Sequence, residues 1–98
     1  MTKQEVREKI MDCCSISGAE VMGLGNGLLV RRGCICHFFH FAEKSVGIIS
    51  SAEFAETGDE IITTDTSWWY KDITEIRLEE SHLWIDSALK GYFALALK

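Results

Sequence analysis

The chain reads as an α+β domain: one N-terminal helix packed on a bent antiparallel sheet of about six or seven short strands. Three observations predict this. Apolar residues recur with helical period only before Gly18. After Gly18 they alternate with period two, in runs of five to ten residues broken by Gly, Asn, Asp and Ser. Proline is absent, and no linker, repeat or low-complexity segment interrupts residues 1–98, so a single compact domain is expected.

The helix is expected over Thr2 to Cys14. Val6, Ile10, Cys13 and Cys14 fall at i, i+4, i+7 and i+8, one face of a helix. Thr2 and Glu5 have the spacing of a capping box, and Ser15, Ser17 and Gly18 end the run. Ala19–Leu24 and Leu28–Arg32 then flank Gly25-Asn26-Gly27, where Asn-Gly is a strong hairpin signal because both positions tolerate positive φ. Cys34–Ala42 and Ser45–Ser51 read as strands on either side of Glu43-Lys44. Ser51–Glu56 fits a helical turn and a continuing strand equally, Gly58 is a turn, and Asp59–Thr64 is a strand.

Asp65-Thr66-Ser67 is expected to break that strand. Tyr70–Glu79 alternates, with Ile76 and Leu78 on one side and Glu75, Arg77 and Glu79 on the other. Leu83 and Ile85 alternate with Trp84 and Asp86 after a Glu80-Ser81-His82 turn. Tyr92–Leu97, after a turn at Leu89-Lys90-Gly91, puts Phe93, Leu95 and Leu97 on one face. The Tyr70–Leu78 and Leu83-Trp84-Ile85 pair resembles a strand pair of bacterial pleckstrin-homology-like domains. Those domains close with a C-terminal helix, whereas this chain places its helix first, so no site residue follows from the resemblance.

Charge is distributed unevenly. The net formal charge is −5, and residues 43–86 carry eleven acidic against three basic side chains. Such a balance disfavours nucleic-acid binding, which needs Lys and Arg to neutralise phosphate. It favours a protein partner with a basic surface. No apolar run is long enough to cross a membrane as a helix, and no apolar signal region follows TKQEVREKI. A cytoplasmic location is expected, with Cys13, Cys14, Cys34 and Cys36 as reduced thiols.

The candidate partner-binding residues are Trp68, Trp69, Asp72, Glu75, Glu79, Glu80 and Trp84. Adjacent residues of a strand face opposite ways, so Trp68 and Trp69 cannot both enter the core. Exposed aromatic rings beside charge are the usual anchors of protein interfaces. The wider acidic set adds Asp59, Glu60, Asp65 and Asp86. One contiguous patch of these carboxylates would mark an interaction surface, and a scattered arrangement only a solvated face. Tyr92–Leu97, at a sheet edge, offers a route to a homo-oligomer.

A competing chemistry lies in Cys34-Ile35-Cys36-His37-Phe38-Phe39-His40. On a strand, Cys34, Cys36 and His40 share a face, and Cys13 or Cys14 would complete a tetrahedral zinc or redox site. The spacing is not C-x-x-C and no second knuckle exists, so a core strand is the simpler reading. Gly23–Gly27 has the composition of a phosphate loop but leads into a strand, not a helix. No catalytic triad, carboxylate pair or cofactor loop is evident, and neither an enzyme nor a cofactor is expected. These features suit a small acidic inhibitor or adaptor of the immunity or anti-defence kind found in bacteria and phages.

Overall fold

A computed structural model describes residues 1–33, 35–53 and 60–97, with side chains except at 51–53 and 60–65. It shows one helix against antiparallel sheets, as the patterning predicts: α1 (Lys3–Ile16), β1 (Glu20–Leu24), β2 (Gly27–Arg32), β3 (Ile35–Phe41), β4 (Ser45–Glu53), β5 (Glu60–Trp69), β6 (Ile73–Glu79), β7 (His82–Ser87) and β8 (Gly91–Ala96). The strands divide into two meanders, β1-β2-β3-β4-β5 and β6-β7-β8, instead of one bent sheet. A 3-10 turn at Tyr70–Asp72 makes the division, because it takes the chain out of the ladder after Trp69.

The capping box forms as expected. Glu5 N–H donates to Thr2 Oγ1 at 3.2 Å, and Thr2 N–H donates to the Glu5 carboxylate at 3.2 Å. These bonds hold the Glu5 carboxyl below its usual pKa. The helix ends at Ser17, and Gly18 follows with φ 86°, the left-handed conformation that glycine adopts without steric cost. Arg32 reaches across from β2 and donates to the Ser17 carbonyl at 2.6 Å, covering an orphan acceptor at the helix C-terminus.

The β1–β2 hairpin differs by one residue from the Asn-Gly expectation. Leu24 pairs with Gly27, so the two loop residues are Gly25 and Asn26. Only Gly25 has positive φ, the glycine-first arrangement of a type II′ turn. Gly27 serves a different purpose as the first residue of β2. A Cβ there would lie 2.7 Å from both the Phe38 ring and the Phe39 carbonyl, so glycine lets the Phe38 ring lie over the strand.

The predicted break at Asp65-Thr66-Ser67 does not occur. Those residues pair with Ile49, Ile48 and Gly47, and β5 continues to Trp69 because the long β4 offers a partner for every backbone group. The ambiguous Ser51 segment continues β4 to Glu53. The expectations for 54–59, including the Gly58 turn, lie outside the described residues. In β6, a register shift between Ile73 and Glu75 turns both Ile73 and Ile76 inward, where strict alternation would separate them.

One core joins the elements. Val6, Ile10 and Cys14 of α1 are fully buried with Leu28, Val30, Phe39, Phe41, Val46 and Ile48 of the larger sheet and Leu83, Ile85 and Leu95 of the smaller. The aromatic edge contact of Trp68 with Phe93, at 5.0 Å between centroids, ties β5 to β8. Arg7 lies 5.4 Å above the Phe41 ring and closes the helix side of the core. No described helix is long and apolar enough to cross a membrane.

Candidate interaction surface

The outward side of β6-β7-β8 gathers part of the predicted set. Alternation places Glu75, Arg77 and Glu79 on this side of β6, and His82, Trp84 and Asp86 on this side of β7. Register then makes rows of them: Glu75, Asp86 and Tyr92 in one, Arg77, Trp84 and Ala94 in the next, Glu79, His82 and Ala96 in the third.

Arg77 is the centre. Its guanidinium donates to Asp86 and, at 3.2 Å, to Glu79, and lies 3.6 Å from Glu75. These bonds, that to Asp86 foremost, raise the Arg77 pKa above its ordinary value. The same guanidinium sits 5.3 Å from the Trp84 ring centre and 5.9 Å from that of Tyr92. Trp84 Nε1–H donates to the Glu79 carbonyl at 3.1 Å, which fixes the indole on the strand. The Glu75 and Glu79 side chains stay well exposed, while Asp86 keeps a buried Oδ1 that has no hydrogen-bond partner among the described residues. Three carboxylates around one cation leave this patch negative, and Glu80 adds to it from the adjoining turn.

That turn is strained. Glu79 pairs with His82, so Glu80 and Ser81 form a two-residue loop with φ 52° and 62°. Both values belong to a type I′ turn, which favours Asn-Gly. Three bonds hold it: His82 Nδ1 meets the Glu80 carbonyl at 2.8 Å, Leu97 N–H donates to the Ser81 carbonyl at 3.0 Å, and Trp84 anchors Glu79. Replacing Glu80-Ser81 with Asn-Gly is expected to stabilise the fold by about 1–2 kcal/mol. Urea denaturation of the double variant measures this, and no gain would show that the turn carries no strain.

The other predicted residues go elsewhere. Trp68 is 3% exposed and belongs to the core, so it adds nothing to a surface. Trp69 is 52% exposed but ends β5 of the larger sheet. Asp72 lies in the 3-10 turn, half-buried, with its carbonyl accepting from Ala88 N–H. The surface therefore unites Glu75, Glu79, Glu80 and Trp84 and leaves out Trp68, Trp69 and Asp72. The side chains of Asp59, Glu60 and Asp65 lie outside the described residues.

The cysteine and histidine cluster is split between two sides of the larger sheet. His37 points into the core, while Cys36 and His40 take the opposite phase of β3. Cys14 is buried on the core side, where desolvation pushes its thiol up to about 12, and burial raises Cys13 as well. Such thiols stay protonated at neutral pH and are poor metal ligands or nucleophiles. Cys34 lies outside the described residues. Among the described residues no three His, Cys, Asp or Glu are placed to hold a metal ion.

A second uncovered surface escaped the sequence reading. Met22, Leu29, Phe38 and Ile49 are register partners across β1 to β4, on the side facing away from the core. Met22, Leu24 and Ile49 are exposed by 58%, 46% and 45%. The signal was present as apolar doublets: Val21-Met22, Leu28-Leu29, Phe38-Phe39 and Ile48-Ile49. A doublet gives both sides of a strand an apolar residue, the pattern of a sheet that is covered twice. Compared with family models, with curated proteins and with solved structures, the chain matches none.

Proposed function

We propose that this protein is a non-enzymatic binding module, an inhibitor or adaptor of the immunity or anti-defence kind, that docks the outward side of β6-β7-β8 on a basic segment of a partner protein. The observation that carries the reading is the convergence of Glu75, Glu79 and Asp86 on Arg77 between the Trp84 and Tyr92 rings. Side chains already held in place lose little entropy on binding. A lysine or arginine of the partner would find the exposed carboxylates of Glu75 and Glu79 and an aromatic wall in one place. The free thiols of Cys13 and Cys14 suit work in the cytoplasm.

The test is affinity capture with wild-type protein at two salt concentrations, compared with Trp84→Ala and with Glu75→Lys/Glu79→Lys/Glu80→Lys. The partner is expected to be lost at high salt and weakened at least tenfold by Trp84→Ala, the loss typical of a central aromatic anchor. Capture that ignores both salt and charge reversal would remove the reading.

A further inference from the structure

A cationic concavity stands out in this acidic chain. The start of α1, the β3–β4 connection and the β5–β6 corner enclose a concavity of about 570 Å³ lined by Lys3, Glu43, Lys44, Trp69, Tyr70 and Lys71. Three lysines against one glutamate make it locally cationic in a protein whose net charge is −5. None of the three ammonium groups is held in an ion pair among the described residues. Half the Trp69 surface is open, and its indole has no ring or hydrogen-bond partner there.

The walls are firm. Tyr70 Oη–H donates to the Ala42 carbonyl at 2.6 Å, and Tyr70 N–H donates to the Lys44 carbonyl at 3.1 Å. Ala42 N–H closes the β3–β4 connection on the Ser45 carbonyl at 2.8 Å. The corner carrying Trp69 and Lys71 is thereby fixed to the loop carrying Lys44. The volume lies in the range of small-molecule sites, about 300–1,000 Å³.

From this juxtaposition we propose that the concavity binds a free nucleotide, its flat base stacked on Trp69 and its phosphates among Lys3, Lys44 and Lys71. An indole face stacks on any base, and lysine is a strong point charge for phosphate. Neither feature alone selects this class; an anion without a ring leaves the indole unused, and a ring without charge leaves three lysines without an ion-pair partner among the described residues. This site is separate from the acidic surface, so either can stand without the other.

The test follows the Trp69 indole N–H of isotopically labelled protein by NMR during titration with ATP, AMP, adenosine and inorganic phosphate, without added magnesium. Saturable binding of ATP is expected with a dissociation constant of about 0.1–1 mM, AMP weaker, and adenosine and phosphate each at least tenfold weaker than ATP. Trp69→Ala and Lys44→Ala/Lys71→Ala each change exposed side chains and should each weaken ATP about tenfold with the fold intact. The proposal is overturned by no saturation at about 10 mM ATP. It is also overturned if adenosine or phosphate matches ATP, or if either variant binds like wild type. A single-stranded oligonucleotide binding far more tightly than ATP would overturn it in favour of a nucleic-acid surface.

Discussion

Replacing Phe39 with alanine is expected to cost about 3–5 kcal/mol of folding free energy. Phe39 is fully buried in β3, the central strand of the larger sheet, between Leu28 and Ile48. It belongs to the cluster that joins α1, the larger sheet and the smaller sheet, so no single layer can collapse to fill the space it leaves. The loss approaches the whole stability of a small domain, about 5–15 kcal/mol. Ile49→Ala removes a half-exposed side chain one register row away and should cost under about 1 kcal/mol. Urea denaturation of the two variants separates them. Equal costs would mean that the core does not lie between Phe39 and the elements packed on it.

His37 gives the second large effect, and one that depends on pH. The side chain is 5% exposed, with Nε2 2.6 Å from the Ala96 carbonyl and Nδ1 2.6 Å from the Ser50 hydroxyl. A carbonyl can only accept, so Nε2 carries the proton and Nδ1 accepts from Ser50. His37 thus bridges β3 and β4 to the last residue of β8. His37→Leu keeps the volume but leaves the Ala96 carbonyl without this donor, and is expected to cost about 2–3 kcal/mol. Desolvation lowers the His37 pKa, and the Ala96 bond offsets part of that. The unfolded chain takes up the proton near 6.5 while the folded chain resists it, so the unfolded state binds more protons in acid. The His37 contribution is complete above pH 6.5 and falls away as the pH drops below it. The difference between wild-type and His37→Leu stability, measured from pH 7.5 to 5, should therefore shrink towards acid. A constant difference would show that His37 does not titrate between the two states.

Much of the local structure was legible because it depends on neighbours in sequence. Thr2 and Glu5 are three residues apart and cap one helix whatever lies beyond it. Leu83 and Ile85, or Leu95 and Leu97, reveal their buried side by strict alternation. The adjacency of Trp68 and Trp69 already required one to be outside. Elsewhere a long-range partner overrode the local signal. Asp65-Thr66-Ser67 has turn composition, yet β4 supplied backbone partners and kept it extended. The bulge at Ile73 to Glu75 moved Ile73 to the inner side, which no alternating pattern could announce.

The candidate surface was legible in its residue types and not in its membership. Glu75, Glu79, Glu80 and Trp84 come together because β6 and β7 are joined by a two-residue loop, and short loops leave pairing little choice. Asp86 and Tyr92 join them only through the register of β7 with its neighbours. Trp68 fell out because it meets Phe93, twenty-five residues away on another sheet.

By itself the sequence determined the class of fold, the capped helix, the strand faces that alternate strictly and the acidic bias of the second half. The tertiary structure alone decided that the sheet splits after Trp69, that Arg77 collects three carboxylates, that the apolar doublets leave one side of the larger sheet uncovered, and that Lys3 and Lys44 line one concavity with Trp69 and Lys71. The reason is the range of the forces. Periodicity and capping act within a few residues, whereas charge clusters, core partners and concavities are set by which distant strands come to lie side by side.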